Sequence, residues 1–273
     1  MDYKFKTEPY EHQLQALGAS HNKENFAFFM EMGTGKSKVL IDNIAMLHDK
    51  GKINSALIVA PKGVYRNWER QEIPTHMPEH VDYCVLVWNP TSTSFPKEYA
   101  KFLKNEDKLK IFLINIDAFS TIKGTDIAKR FLIATQCLMA IDESTTVKTP
   151  TAKRTKTICK MRTLAKYRRI LTGSPVTKSP LDLYTQCYFL DPELLGFASY
   201  YTFKNRYAVM ISRSVATHSF KQIVDYQRLD ELEHKLNQFS YRVLKSDCLD
   251  LPEKIYTKRY IEMTPEQKKC TLK

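Results

Sequence analysis

The chain has 273 residues, 43% of them apolar and 26% charged, with a net charge of +12. This is the composition of one large or two small globular domains with a substantial core, and the excess of positive charge favours a polyanionic partner, nucleic acid before an anionic membrane surface. Six scattered cysteines without a Cys-x-x-Cys pair speak against a zinc site or a disulfide framework, no stretch approaches the length of a membrane span, and Met1 to Lys6 lacks an apolar signal core.

In chain order, Thr7-Glu8-Pro9 marks a helix start, and Leu14 and Leu17 give that helix an apolar side to about residue 20. Gln13 lies just upstream of the next motif, where its amide could pair with an adenine edge; a solvated helix face is the plainer reading. Phe26 to Met30 reads as a buried strand. Glu31-Met32-Gly33-Thr34-Gly35-Lys36-Ser37 then reads as a tight turn opening a helix. Gly33 and Gly35 allow a sharp turn and a close approach to an anion, and the helix start points free N–H groups at the same place. Lys36 supplies a cation for outer phosphates, and Ser37 offers a hydroxyl to Mg²⁺. The full phosphate-loop pattern has glycine at position 30, where this chain has Met30. An ordinary strand-to-helix turn with an exposed lysine is the alternative.

The helix continues to about Asp49 and ends at Gly51. Ala56–Ala60, Tyr83–Trp88 and Ile111–Ile116 are short apolar runs that suit strands covered on both faces. Val64–Gln71, Glu98–Asn105 and Asp126–Ala134 read as helices between them, with Trp68 expected in the core. The alternation predicts an α/β fold.

Cys137-Leu138-Met139-Ala140-Ile141 is a further apolar strand, and it delivers Asp142 and Glu143 at its C-terminal tip. Open α/β sheets place ligands there, and an acidic pair leaving a buried strand is costly unless paired or metal-bound. Asp142 suits Mg²⁺, and Glu143 suits the orientation and deprotonation of a water. A strand end reaching solvent is the bland alternative. Lys148, Lys153, Arg154, Lys156 and Lys160 follow, as a solvated helix face or a phosphate-backbone surface. Tyr167–Leu171 is a strand that breaks into Thr172-Gly173-Ser174-Pro175. Leu181–Leu190 and Leu229–Asn237 read as helices, Phe239–Leu244 as strand or short helix, Leu251–Lys254 as a linker and Ile255–Met263 as a strand.

Five of these pieces together resemble the first motor lobe of superfamily 2 helicases, within them the Swi/Snf-type translocases and their bacterial and phage relatives. They are Tyr10-Glu11-His12-Gln13, Glu31 to Ser37, Ile58-Val59-Ala60-Pro61, Asp142-Glu143-Ser144-Thr145 and Leu171-Thr172-Gly173-Ser174-Pro175. Tyr241 to Asp247 with Leu251-Pro252-Glu253-Lys254 resembles the inter-lobe segment, and Met263 to Gln267 the entry to the second lobe. The resemblance implies a RecA-like lobe with a mostly parallel, helix-covered sheet over residues 1–195, and a helical extension over 196–273. It implies ATP and Mg²⁺ as cofactors, duplex DNA as partner, a bacterial or phage-infected cytoplasm, and a second RecA-like lobe, in the same or another chain, bearing an arginine finger. It also implies that Gln13 reads adenine, that Gly33, Thr34, Gly35, Lys36 and Ser37 hold nucleotide, and that Ser37 and Asp142 hold the metal. Glu143 and Lys36 would be catalytic, Thr172 and Ser174 would couple nucleotide state to grip on DNA, and Pro61 and Lys62 would lie near nucleic acid, where the phosphate-backbone reading of the basic stretch also puts Lys148. One departure is the acidic box, which reads Asp-Glu-Ser-Thr where the family has Asp-Glu-Ala-His or Asp-Glu-Gly-His. The rival readings are a nucleotide- or DNA-binding regulatory module without turnover, and another phosphate-loop enzyme such as a small-molecule kinase.

Overall fold

The continuously apolar runs become strands with both faces covered. In the computed structural model, residues 3–215, 218–248, 257–260, 262–264 and 267 are described. In chain order the helices are α1 (Glu11–Ser20), α2 (Lys36–Asp49), α3 (Tyr65–Asn67), α4 (Ile73–His76), α5 (Phe95–Leu103), α6 (Ile122–Ala134), α7 (Lys153–Met161), α8 (Leu183–Leu190), α9 (Tyr200–Tyr207), α10 (Leu229–Asn237) and α11 (Lys245–Cys248). The strands are β1 (Asn25–Met30), β2 (Ser55–Ala60), β3 (Tyr83–Val87), β4 (Leu109–Asn115), β5 (Cys137–Asp142), β6 (Tyr167–Leu171), β7 (Ala208–Val215), β8 (His218–Tyr226) and β9 (Ser240–Val243).

Seven strands form one sheet in the order β3-β4-β2-β5-β6-β1-β9, and every pairing in it is parallel. Alternate residues of each strand serve opposite faces. Leu57, Val59, Phe112, Ile114, Met139 and Ile141 face one core, with α5, α6, α7 and α8 over them. Ala56, Ile58, Ile111, Leu113, Leu138 and Ala140 face the other, with α1, α2 and the α3–α4 segment. A fully buried phenylalanine such as Phe112 contributes about 2 kcal/mol of transfer free energy, so both layers are firmly held.

The first helix begins at Glu11, later than the sequence suggests, because Pro9 favours extended backbone in the residue before it. Its far end is clamped by Arg169 of β6, which is fully buried. The guanidinium donates to Asn43 Oδ1 and to the carbonyls of Ser20, Lys23, Glu24 and Arg168. No carboxylate is among these acceptors, and burial pulls the group down to about 9. The clamp fixes α1, and therefore Gln13, against α2 and the loop before it.

Residues 196–248, expected as a helical extension, hold α9 and α10 but also an antiparallel hairpin and a strand. β7 and β8 pair with each other, and the β-branched Val209, Ile211, Ile223 and Val224 favour the extended backbone there. β9 pairs with β1 as the seventh strand, which decides the strand-or-helix ambiguity at Phe239–Leu244. The linker Leu251–Lys254 lies outside the described residues. The strand expected over residues 255–263 is not formed at Thr257–Tyr260 or Glu262–Met263, and its remainder lies outside them too. Among the described residues no helix is long and apolar enough to cross a membrane.

Candidate active site

Parallel strands all end at the same edge, so neighbours in the sheet deliver their following loops to one place. β5, β6 and β1 are neighbours, and their loops are the acidic box, the Thr172–Pro175 turn and the phosphate-loop candidate. β2 lies beyond β5 and brings Pro61 and exposed Lys62 to the same edge.

Between β1 and α2 the backbone turns through Gly33 and Gly35, at φ +86° and +83°. These are left-handed conformations that glycine adopts without a Cβ penalty. Gly35 has a second reason to lack a side chain, since a Cβ there would lie 2.2 Å from Gln13 Nε2. Gln13 is buried, and both ends of its amide are engaged. Oε1 accepts from the Tyr10 N–H at 3.1 Å, and Nε2 donates to the Thr34 carbonyl at 3.1 Å. One amide hydrogen and one lone-pair site remain for a ligand. His12 Nε2 lies 2.8 Å from the same carbonyl, which can only accept, so this nitrogen carries the proton.

Glu31 organises the loop. Its carbonyl accepts from Thr34 N–H, from Thr34 Oγ1 and, at 3.5 Å, from Lys36 Nζ. Its own N–H donates to the Val243 carbonyl, and its carboxylate Oε2 accepts from the Lys245 N–H at 2.8 Å. The segment leaving β9 is therefore tied to the loop between β1 and α2 on both sides of one residue. The Lys245 side chain lies over Gly33, where a Cβ would be 3.0 Å from Lys245 Cε.

Asp142 is 7% exposed. Its Oδ2 accepts from Trp68 Nε1 at 3.0 Å, and its Oδ1 from the Glu143 N–H at 3.0 Å. Burial above all, and the neighbouring Glu143 carboxylate, push the carboxyl up to about 6, against the pull of the Trp68 N–H and the Lys36 ammonium. Trp68 is in the core as expected, 1% exposed, but its polar edge serves the acidic box. It opens a π-helical turn, Trp68–Glu72, between α3 and α4. The indole N–H is the signal that sequence reasoning passed over, since a buried tryptophan usually finds an acceptor.

Glu143 stands in left-handed backbone at φ +51°, a conformation that costs a non-glycine residue about 1–3 kcal/mol. Thr172 Oγ1 donates to its Oε2 at 3.3 Å and accepts from the Ser174 N–H at 3.3 Å. The turn is braced on β1 by the Thr172 N–H donating to the Phe28 carbonyl. Gly173 lies so close to the phosphate loop that a Cβ would be 3.1 Å from Met32 N.

The edge thus gathers Gln13, Gly33, Thr34, Gly35, Lys36, Ser37, Asp142, Glu143, Thr172 and Ser174. Lys148 makes its own contacts: its ammonium meets Thr177 Oγ1 and pairs with Asp182 Oδ2 at 3.5 Å. Ser37 and Asp142 are hard oxygen donors of the kind Mg²⁺ takes. Among the described residues no group of three or more His, Cys, Asp or Glu side chains could hold a metal, and the five described cysteines are free.

The SNF2-related domain family matches residues 12–271. Chromatin remodeling factor mit1 of Schizosaccharomyces pombe is 24% identical over 87% of this chain and 15% of its own length. Chromatin-remodeling ATPase INO80 of the same yeast is 25% identical over 87% of this chain and 14% of its own. Among solved structures, the Sulfolobus solfataricus SWI2/SNF2 ATPase core in complex with dsDNA has the same fold, with a TM-score of 0.68 at 24% identity. It is matched over 99% of this chain and 52% of that one, so the chain spans about half of this neighbour and a small part of the two remodelers.

Proposed function

The chain belongs to the SNF2-related domain family, and we propose that it is the ATP-binding, first RecA-like lobe of a nucleic-acid-dependent ATPase that translocates on duplex DNA. The observation that carries this reading is the adjacency of β5, β6 and β1. It brings Lys36, Asp142, Glu143 and the Thr172 hydroxyl, which donates to Glu143, to one edge.

In this reading Lys36 leaves the Glu31 carbonyl for the outer phosphates of ATP, while Gly33, Thr34 and Gly35 let the backbone close on them. Gln13 offers adenine its remaining amide hydrogen and lone pair. Ser37 and Asp142 would hold Mg²⁺, which would supply positive charge to the phosphates. Glu143 takes the proton of a water attacking in line. The water oxygen bonds to the γ-phosphorus as the bond to the departing ADP oxygen breaks. Thr172 holds the Glu143 carboxylate in place, and Trp68 holds that of Asp142.

Pro61, Lys62 and Lys148 lie near nucleic acid in this reading, with Lys148 reaching it from its pair with Asp182. The lobe is residues 1–195. Residues 196–273 form the extension toward a second RecA-like lobe, in the same or another chain, and β9 pairs back onto β1. A trans arginine from that lobe contributes on the order of 10³ or more to turnover in triphosphatases that use one.

The test is steady-state ATPase with saturating duplex DNA, comparing residues 1–273 with a protein that also holds the second lobe. Residues 1–273 should bind ATP weakly, hydrolyse it very slowly and not translocate. Equal rates would make a single-domain phosphate-loop enzyme the better account.

A further inference from the structure

Ser144, the residue after Glu143, is fully buried. A buried hydroxyl is costly unless bonded. Its Oγ donates to Gln186 Oε1 at 2.7 Å. Gln186 is itself fully buried in α8, a polar residue inside the apolar run Leu183–Leu190. Its Nε2 donates to the Pro175 carbonyl at 2.8 Å and to the Asp182 carbonyl at 2.8 Å. Two carbonyl acceptors on one side fix which end of the amide is nitrogen, and that fixes the direction of the Ser144 bond.

The bonds form a closed circuit. Ser144 follows Glu143 in the chain and is tied through Gln186 to Pro175. Pro175 follows Ser174, whose N–H donates to Thr172 Oγ1, and Thr172 Oγ1 donates to the Glu143 carboxylate. The two arms differ. The Thr172 arm ends on the carboxylate assigned to the attacking water and is made of two bonds of 3.3 Å. The Gln186 arm touches no reacting group and is closed by bonds of 2.7 and 2.8 Å. Asp182, its second anchor, is pinned by the Thr177 and Lys178 N–H groups at 3.1 and 3.0 Å. A buried polar network with every member satisfied favours one arrangement over its neighbours.

We propose that Gln186 is a positioning residue which, with Ser144, tethers the acidic box to the Thr172–Pro175 turn, so that a nucleotide-driven change at one moves the other. The inference rests on the nucleotide-site reading above. A purely structural role is the competing account, and the two differ in what nucleotide does to the turn.

The experiment is hydrogen–deuterium exchange of the 273-residue chain with and without Mg²⁺–ATP, read at the phosphate loop (31–37) and at the turn (172–178). In the wild type, nucleotide should slow exchange at both. In Gln186→Leu and in Ser144→Ala the loop should respond as before. The ratio of rates at the turn with and without nucleotide should fall about tenfold toward one, the loss expected for one buried tether. The double variant should be no worse than either single, because both cut one arm. A turn that exchanges faster in the variants yet keeps the wild-type nucleotide ratio shows a structural role and overturns the proposal. No response at 31–37 in the wild type overturns the nucleotide reading and the tether with it. If Gln186→Leu does not fold, Ser144→Ala decides, since it removes one oxygen only.

Discussion

Replacing Trp68 with phenylalanine keeps an aromatic ring in the core and removes the one N–H that Asp142 Oδ2 receives from the indole. A hydrogen bond to an ionised carboxylate contributes about 1.5–3 kcal/mol, or roughly one to two pKa units, and water entering the space vacated by the indole returns part of it. The net rise is about one unit, from the present value of about 6 to about 7. The ionised form is the one that can hold Mg²⁺. Wild type should therefore lose Mg²⁺ as pH falls through about 6, and Trp68→Phe through about 7. The value lies above that of an ordinary aspartate, so Asp142 favours folding in full only below its unfolded value. That contribution is lost as pH rises through about 6, and stability alone cannot mimic the effect. The assay is a Mg²⁺ titration of fluorescent ATP binding at three pH values. The midpoint of Trp68→Phe should be about fivefold higher than wild type near pH 6, about twofold higher near pH 7 and equal near pH 8.5. Equal midpoints near pH 6 would refute the reasoning. A difference persisting near pH 8.5 would point to disturbed packing instead.

Three further outcomes are expected. Lys36→Ala should weaken ATP binding strongly with little change in melting temperature, because the ammonium makes only a 3.5 Å contact with the Glu31 carbonyl; unchanged affinity in a folded variant would remove its assignment. Glu143→Gln, in a protein with both lobes, should keep ATP binding and lose turnover, and wild-type hydrolysis would show that the base is elsewhere. Nucleic-acid binding should be largely independent of sequence and weaken steeply with salt, because phosphate contacts release counterions and read no bases. A strong preference for one sequence that survives high salt would contradict the charge argument drawn from the net +12.

Most of the local structure before residue 195 was legible in the amino-acid sequence, whereas the β7–β8 hairpin beyond it was not. The runs at Ala56–Ala60 and Cys137–Ile141 are apolar throughout, and they fold as strands covered on both faces. The glycines at 33 and 35, followed by Lys36 and Ser37, mark a strand–turn–helix because few other residues tolerate that backbone, and α2 begins at Lys36. The acidic pair at a strand tip is equally local. Strand order follows less directly, yet once all the strands are parallel their loops must share an edge, and the motifs meet there.

Partnership across the chain was decided only by the tertiary structure. Trp68 reads as core from its neighbours, and its role depends on an acceptor 74 positions away. Ser144 reads as a departure from the family pattern until Gln186 appears beneath it. Lys148 reads as a free cation until Asp182 meets it. The segment after residue 195 has weak periodicity, and β9 becomes a strand because β1 presents an unpaired edge to it. The physical reason is common to all four. Periodicity and turn chemistry are set within one stretch of backbone, whereas a polar group drawn wholly or partly out of water finds its partner wherever packing places one, and packing belongs to no single stretch.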